Sequence, residues 1–189
     1  MKHKKVIGML SAILIISVGV NIVTARQLAK QSKIIECVSK KMYYEMDYYI
    51  EESLICLETI LINDSEKFTE SLKELGINLE KLYRSVEMFN DTVEKEIDIS
   101  VMKSIIWGIN EGLGVGTRIV PIGASGSISS QERRFLNMLY EDLRSIDKEV
   151  HNLQNEYDDE RVAEVFKMYL DRDKYENVMD PSVYNASCD

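Results

Sequence analysis

At 189 residues, the sequence is long enough for one folded domain and an accessory segment, and its hydrophobic fraction of 45% is not that of a disordered chain. Its net charge of −9 is unevenly distributed: residues 1–33 hold six basic and no acidic side chains. The remaining 156 residues therefore hold 17 basic and 32 acidic side chains, a net charge of −15. A body this acidic, without a basic stripe, argues against nucleic acid as a partner.

The first part of the chain has the composition of a membrane segment. A basic stretch at residues 1–5, predicted to be a cytoplasmic tail, precedes residues 6–25, which carry no charge. Twenty residues in a helix span about 30 Å, the thickness of the hydrocarbon core of a bilayer. We interpret residues 6–25 as a transmembrane anchor or, alternatively, as a signal peptide cleaved after Ala25, in which case the body is secreted.

The orientation of this anchor follows from the charges at its ends. Basic residues flank both ends of the apolar run, so their count alone is not decisive. The cluster at the N-terminus and the acidic body together favour a single-pass protein of the cell membrane with its N-terminus inside and its body extracytoplasmic.

Residues 26–170 are predicted to form a helical bundle. Residues 26–62 contain no Pro or Gly and continue the first helix, with apolar side chains spaced by three and four residues at Tyr43, Met46, Ile50, Leu54, Leu57 and Leu61. Two tyrosine pairs, Tyr43-Tyr44 and Tyr48-Tyr49, indicate packing in a core or, alternatively, an aromatic patch that binds a ligand.

Two later segments follow a strict alternation of steps of four and three residues, which is the a/d pattern of packed helices. The first seam consists of Phe68, Leu72, Leu75, Leu79, Leu82, Val86 and Phe89, and it includes Gly76, which costs about 1 kcal/mol relative to Ala. The second seam consists of Leu136, Leu139, Leu143, Ile146, Val150, Leu153 and Tyr157.

Polar residues are expected to separate the helices. Asn63-Asp64-Ser65 and Asn90-Asp91-Thr92 indicate breaks, and Asp91 with Glu94 has the spacing of a capping box, as Ser129 has with Glu132. A shorter helix is predicted in the stretch that follows Thr92 and runs through Ser100 to Leu113, and another begins at Asp158-Asp159-Glu160. A glycine-rich connection at 112–127 lies between helices, and residues 171–189 are predicted to form a frayed polar tail.

These elements predict an all-α fold in which an N-terminal transmembrane helix precedes an antiparallel bundle of about four helices. A long coiled-coil dimer is the alternative, because strict a/d seams also serve that purpose.

No pattern of catalytic or metal-binding residues emerges, so the sequence predicts no enzyme, no catalytic, cofactor or metal site and no cofactor. His151 is the single histidine of the body, and the glycine-rich segment has neither the spacing nor the Lys-Ser/Thr of a phosphate loop. The segment that begins at Asp171 departs from a calcium loop, since its twelfth position is Ser182. Cys37 and Cys56 lie about 28 Å apart on one helix, so buried free thiols are expected; pairing with Cys188 or across a dimer stays open.

One family resemblance concerns residues 128–154. Ile128, Ser129, Ser130, Gln131 and Glu132, followed by Leu136, Leu139, Tyr140, Ile146, Lys148, Glu149, Val150, Asn152, Leu153 and Gln154, resemble the helical N-terminal region of YpeB-type spore-germination proteins. Members of that family have a single membrane anchor and support a cortex-degrading enzyme in spores. The resemblance implies a sporulation or germination role but no functional residue, and the repeated α/β modules of the family do not occur in this sequence.

Taken together, the sequence predicts a non-catalytic module of the cell envelope that binds or positions a partner protein, or self-associates through its helix seams. An extracytoplasmic sensor bundle, with a small molecule bound near Tyr43–Tyr49 or near Trp107, is the alternative.

Overall fold

The computed structural model of the protein describes residues 2–62, 67–92, 97–110, 121–153, 158–170, 174 and 175, with side chains described except at 2–13, 15 and 159. Five long helices occur in this part of the chain: α1 (Lys2–Ile62), α2 (Phe68–Thr92), α3 (Ser100–Asn110), α4 (Ser130–Leu153) and α5 (Asp159–Tyr169). The predicted all-α class is confirmed for these residues. The breaks at 63–66, most of the connection at 112–127, Glu94, Cys188 and most of the tail lie outside the described residues.

The chain divides into two units, Met1–Val38 and Ser39–Asp189. The first unit is one helix without a core of its own. Its described apolar side chains between Leu14 and Val23 are half to two-thirds exposed. Among the described residues, no helix combines the length and the hydropathy that a membrane span requires. The side chains of residues 6–13 in the predicted anchor lie outside the description.

The second unit is the helical bundle, and it begins at Ser39, whereas the sequence assigned residues 26–38 to it as well. The predicted apolar positions of α1 from Tyr43 onward are buried or half-buried in its core. Both predicted seams face this same core, and only Leu72 among their described members is half-buried rather than buried. The seams of α2 and α4 therefore pack within one chain, as in the predicted bundle, and are not free for a coiled-coil dimer.

Contacts between side chains show that α1 runs antiparallel to both long helices. On one side, the Tyr43 ring packs edge-on against Phe89, and Asn78 of α2 donates to the Cys56 sulfur at 3.8 Å. On the α4 side, Tyr140 donates to the Glu58 carboxylate at 2.7 Å. Arg133 donates to the Leu61 carbonyl at 2.6 Å and so satisfies a carbonyl in the last turn of α1.

The capping box predicted at the start of α4 is confirmed. The Ser129 amide donates to the Glu132 carboxylate at 2.6 Å, and the Glu132 amide donates to the Ser129 hydroxyl at 3.2 Å. The second oxygen of this buried carboxylate accepts the Gly123 amide at 2.9 Å. Glu132 thereby connects the loop before α4 to the first turn of the helix.

Two other predicted boundaries differ from the structure. Asn90-Asp91-Thr92, predicted as a break, forms the last turn of α2, which ends at Thr92. The Asn90 side chain accepts the Ile97 amide and donates to the Ile97 carbonyl, each at 2.8 Å. The amide of Ser100, the first residue of α3, bonds the Asp98 carboxylate. Asp98 therefore caps the start of α3, a role that was predicted for Asp91.

Part of the predicted polar tail packs on the bundle. Tyr175 is buried, its ring lies edge-on to Phe135, and its hydroxyl donates to Asp142 at 2.8 Å. Lys174 donates to both oxygens of the same buried carboxylate, at 2.5 and 2.7 Å. Burial and the neighbouring Asp142 carboxylate raise the pKa of Tyr175, so its hydroxyl stays protonated and remains a donor.

The contacts of Asp142 generate the first prediction. We expect Asp142→Ala to lower the free energy of unfolding by about 2–3 kcal/mol, because it removes charge-assisted hydrogen bonds and leaves the Tyr175 hydroxyl buried without an acceptor. Urea unfolding of the full chain in detergent measures this loss, and limited proteolysis should show faster cleavage near Lys174. Glu141→Ala, at the exposed neighbouring position of α4, is the control and should change stability by less than about 0.5 kcal/mol.

The turn before α4 generates the second prediction. Gly123 has φ +73°, and a Cβ atom there would lie 2.7 Å from the Phe68 ring, whereas Gly126 has φ +81° and open space around it. We expect Gly123→Ala to destabilise the protein by more than the ~1–2 kcal/mol of left-handed strain alone. Gly126→Ala should be destabilised by that strain alone. Equal losses in unfolding experiments on the two variants would show that the contact with Phe68 contributes nothing.

Candidate binding groove

Helices α2 and α3 pack side by side, and side-chain contacts at both ends of the pair hold them together. The two hydrogen bonds between Asn90 and Ile97 hold the chain at the end of α2 just before α3 begins. At the other end of the pair, Gly76 has no side chain, which gives room for the Asn110 amide. The glycine that appeared from the sequence as a helix-propensity cost therefore allows the two helices to approach.

The apolar stripes of α2 and α3 face the core, and their outer faces leave an open groove between them. Its volume is about 580 Å³, within the range of small-molecule sites and wide enough for protein side chains. Nine residues line it: Glu80, Tyr83, Arg84, Glu87, Met88, Lys103, Ile106, Trp107 and Asn110.

The lining combines large apolar surfaces with charges of both signs. Trp107 is 54% exposed and Met88 is 51% exposed, which is high for side chains of this size. Arg84 binds Glu80 at 2.7 Å, and Glu87 and Lys103 add one charge of each sign. Tryptophan, methionine and arginine are the residues enriched at protein interfaces. The lining therefore offers both apolar contact area and charged groups to a bound molecule.

The sequence singled out Trp107 as one possible ligand position, and the structure places it in this groove. Of the four tyrosines of the other proposed position, Tyr48 and Tyr49 contact each other edge-on at 5.2 Å, but the four do not form one patch. Tyr43 is buried against Phe89, Tyr44 and Tyr48 are exposed, and the Tyr49 ring lies under the Lys81 ammonium at 5.4 Å. Nothing in the sequence marked Met88 and Lys103, since their membership depends on how α2 and α3 pack.

His151 lies on the exposed face of α4, 3.8 Å from the carboxylate of Asp47 on α1. Asp147, one turn earlier, faces both Asp47 and Glu51 across the same helix pair. Burial first, and then these two carboxylates, raise the pKa of Asp147, while the nearby His151 lowers it. No group of three metal-ligating side chains occurs in the part of the chain that the structure describes.

Of the three cysteines, the structure describes Cys37 and Cys56, and both are free thiols. Cys56 is buried as predicted, whereas the prediction is wrong for Cys37, which is exposed because it lies on the part of α1 that precedes the bundle. Burial and the nearby Glu74 carboxylate raise the pKa of the Cys56 thiol, so it stays protonated and unreactive at neutral pH. Neither thiol has a histidine or metal-site partner that would suggest catalysis among the described residues.

No family model, no curated protein and no solved structure matches the chain.

The carboxylates between α1 and α4 generate the third prediction. Because its pKa is raised in the folded state, Asp147 destabilises the fold at neutral pH, and protonation removes this penalty as the pH falls towards the ordinary value of 3.8. We expect Asp147→Asn to raise the urea midpoint at neutral pH, with a gain that shrinks as the pH approaches 3.8. An Asp147→Asn midpoint that matches wild type at every pH would show that the Asp147 carboxylate does not destabilise the fold.

Proposed function

We propose that this chain is a membrane-anchored, extracytoplasmic helical module that binds and positions a partner protein in the cell envelope. The observation that supports the anchor most directly is the uncharged run at residues 6–25, in which the described apolar side chains are exposed on all sides of a helix. Such a surface is unfavourable in water and favourable in lipid. The hydroxyl of Thr24 donates to the Val20 carbonyl at 2.9 Å, which satisfies this polar group within the helix itself.

The charges support an extracytoplasmic body. The basic N-terminal stretch fits the cytoplasmic side of a membrane, while the net charge of −15 beyond residue 33 is repelled by anionic lipids on that side. The partner contacts the groove between α2 and α3 in this proposal. Its apolar side chains and its charges of both signs fit an amphipathic protein segment that carries both acidic and basic side chains. The resemblance of residues 128–154 to YpeB-type proteins adds sporulation or germination as the proposed setting.

The anchor is tested by fractionation. After extraction of native membranes at alkaline pH, we expect the full chain to stay in the pellet, because an inserted helix resists conditions that remove peripheral proteins. Protease added to intact cells whose wall has been removed should digest the body. Recovery of the chain in the supernatant would contradict the anchor. Protection of the body from the protease would contradict the proposed orientation.

The groove is tested by a matched pair of methionines, which is the fourth prediction. Met88 lies in the groove and is 51% exposed, whereas Met168 on α5 is 61% exposed and does not line it. We expect Met88→Ala to weaken capture of the partner from native membranes by about tenfold, the effect of an interface residue worth roughly 1.4 kcal/mol. Met168→Ala should leave capture unchanged. Equal effects of the two substitutions would place the partner elsewhere.

A small-molecule sensor is the second candidate, and the volume of the groove together with its exposed Trp107 favours it. Trp107 is the sole tryptophan of the chain, so its fluorescence reports directly on this groove. A metabolite that shifts the emission and raises the melting temperature of the purified chain, in the absence of any retained protein, would favour the sensor over the module.

A further inference from the structure

A regular stripe runs along the first helix from the uncharged run into the segment that follows it. Ser17, Asn21, Thr24, Leu28, Gln31 and Ile35 alternate in steps of four and three residues, and we call them the proximal seam. This is the a/d spacing that places residues on one side of a helix in a coiled coil. The polar residues of the described part of the run, which begins at Leu14, are Ser17, Asn21 and Thr24, and all three lie in the seam.

Charged residues avoid this face. Residues 26–37 contain four charges, and all four occupy heptad positions b, c or f, which point away from the seam: Arg26, Lys30, Lys33 and Glu36. The positions that flank the seam, e and g, are also uncharged between residues 25 and 34: Ala25, Gln27, Ser32 and Ile34. Two identical helices that met along this face would therefore bring no like charges together.

The apolar members of the seam are uncovered beyond the uncharged run. Leu28 is 60% exposed and Ile35 is 49% exposed, and Ile34 beside the seam is exposed as well. The seams of α2 and α4 are buried by their own chain, whereas this face of the first unit is open. An uncharged face, with the charges confined to the outer heptad positions, is the pattern of a helix that packs against a helix.

Asn21 indicates that the helix covering the proximal seam belongs to a second copy of the chain. Thr24 is satisfied by a carbonyl of its own helix, but the exposed Asn21 amide makes no hydrogen bond to any described residue. An unsatisfied amide in hydrocarbon is unfavourable by several kcal/mol, on the order of the loss for any buried polar group. A carboxamide both donates and accepts, so the same residue on a second copy satisfies it, and a single asparagine at an a position is a known device for fixing register.

We propose that the chain forms a parallel pair with a second copy of itself through the proximal seam, with the two Asn21 amides bonded to each other. The parallel direction rests on the proposed membrane anchor, because two copies inserted with the same orientation present the seam in the same direction and at the same depth. Each seam residue then lies opposite its own counterpart. The pair would hold two bundles, and hence two α2–α3 grooves, at one place on the membrane.

Cysteine cross-linking tests the pairing in native membranes, with Cys37 and Cys188 replaced by Ser. We expect oxidation to link Leu28→Cys, Gln31→Cys and Ile35→Cys to their counterparts several-fold more efficiently than Lys30→Cys and Lys33→Cys, which lie outside the seam. Efficiency that follows the steps of four and three supports the pair. Equal linking at seam and outside positions, or no linking at any position, overturns it.

The amide is tested separately by moving it. Asn21→Leu should weaken dimerisation in lipid by about three- to tenfold, the range of interhelical hydrogen bonds in membranes. Asn21→Leu combined with Val23→Asn keeps one amide but places it outside the seam, so it should not restore pairing. Restoration by the moved amide would show that polarity alone drives association, and would overturn the proposed register.

Failure of the pair and failure of the anchor are distinguishable in one preparation. A chain that resists alkaline extraction but migrates as a monomer in mild detergent and does not cross-link retains the anchor and loses the pair. A chain that is extracted by alkali yet cross-links with the seam periodicity loses the anchor and retains the pair.

Discussion

The apolar face of α4 meets α2, α3 and the end of α5 in one core, and the positions of the other helices depend on this contact. Leu139 and Leu143 of α4 surround a small interior void together with Leu79 of α2, Met102 and Ile105 of α3, and Leu170 after α5. Each fully buried side chain of this kind contributes about 1.5–3 kcal/mol. Helix α4 also bonds α1 through Arg133 and Tyr140. The burial of α4 therefore positions both α1 and α2.

Polar contacts then determine where each segment begins and ends around that core. Glu132 joins the loop at Gly123 to the first turn of α4, and Asn90 joins the end of α2 to the chain before α3. Asp142 holds Lys174 and Tyr175 against α4. All three are side chains that satisfy backbone or hydroxyl groups that would otherwise be buried without a partner. The fold is therefore an apolar core whose boundaries are set by a few carboxylates and amides.

Surfaces that this core does not use are where binding is proposed. The outer faces of α2 and α3 keep Trp107 and Met88 exposed, since the inner faces already fill the core with leucine, valine and isoleucine. The first unit, Met1–Val38, has no core to face, so its described apolar residues remain available for lipid and, along the proximal seam, for a second helix. Both surfaces are extended, which is consistent with the proposed module that holds proteins in place.

The sequence by itself determined the helical class, the buried stripes of α2 and α4, and the capping box at Ser129 and Glu132, because these depend on residues three or four apart. It did not determine what covers each stripe, since an a/d seam fits a neighbouring helix of the same chain as well as another chain. Only the tertiary structure placed both seams inside one bundle, extended α2 past Asn90 and buried Tyr175 beside Asp142. It also created the groove at Trp107, because that site depends on long-range packing of two helices that local spacing does not encode.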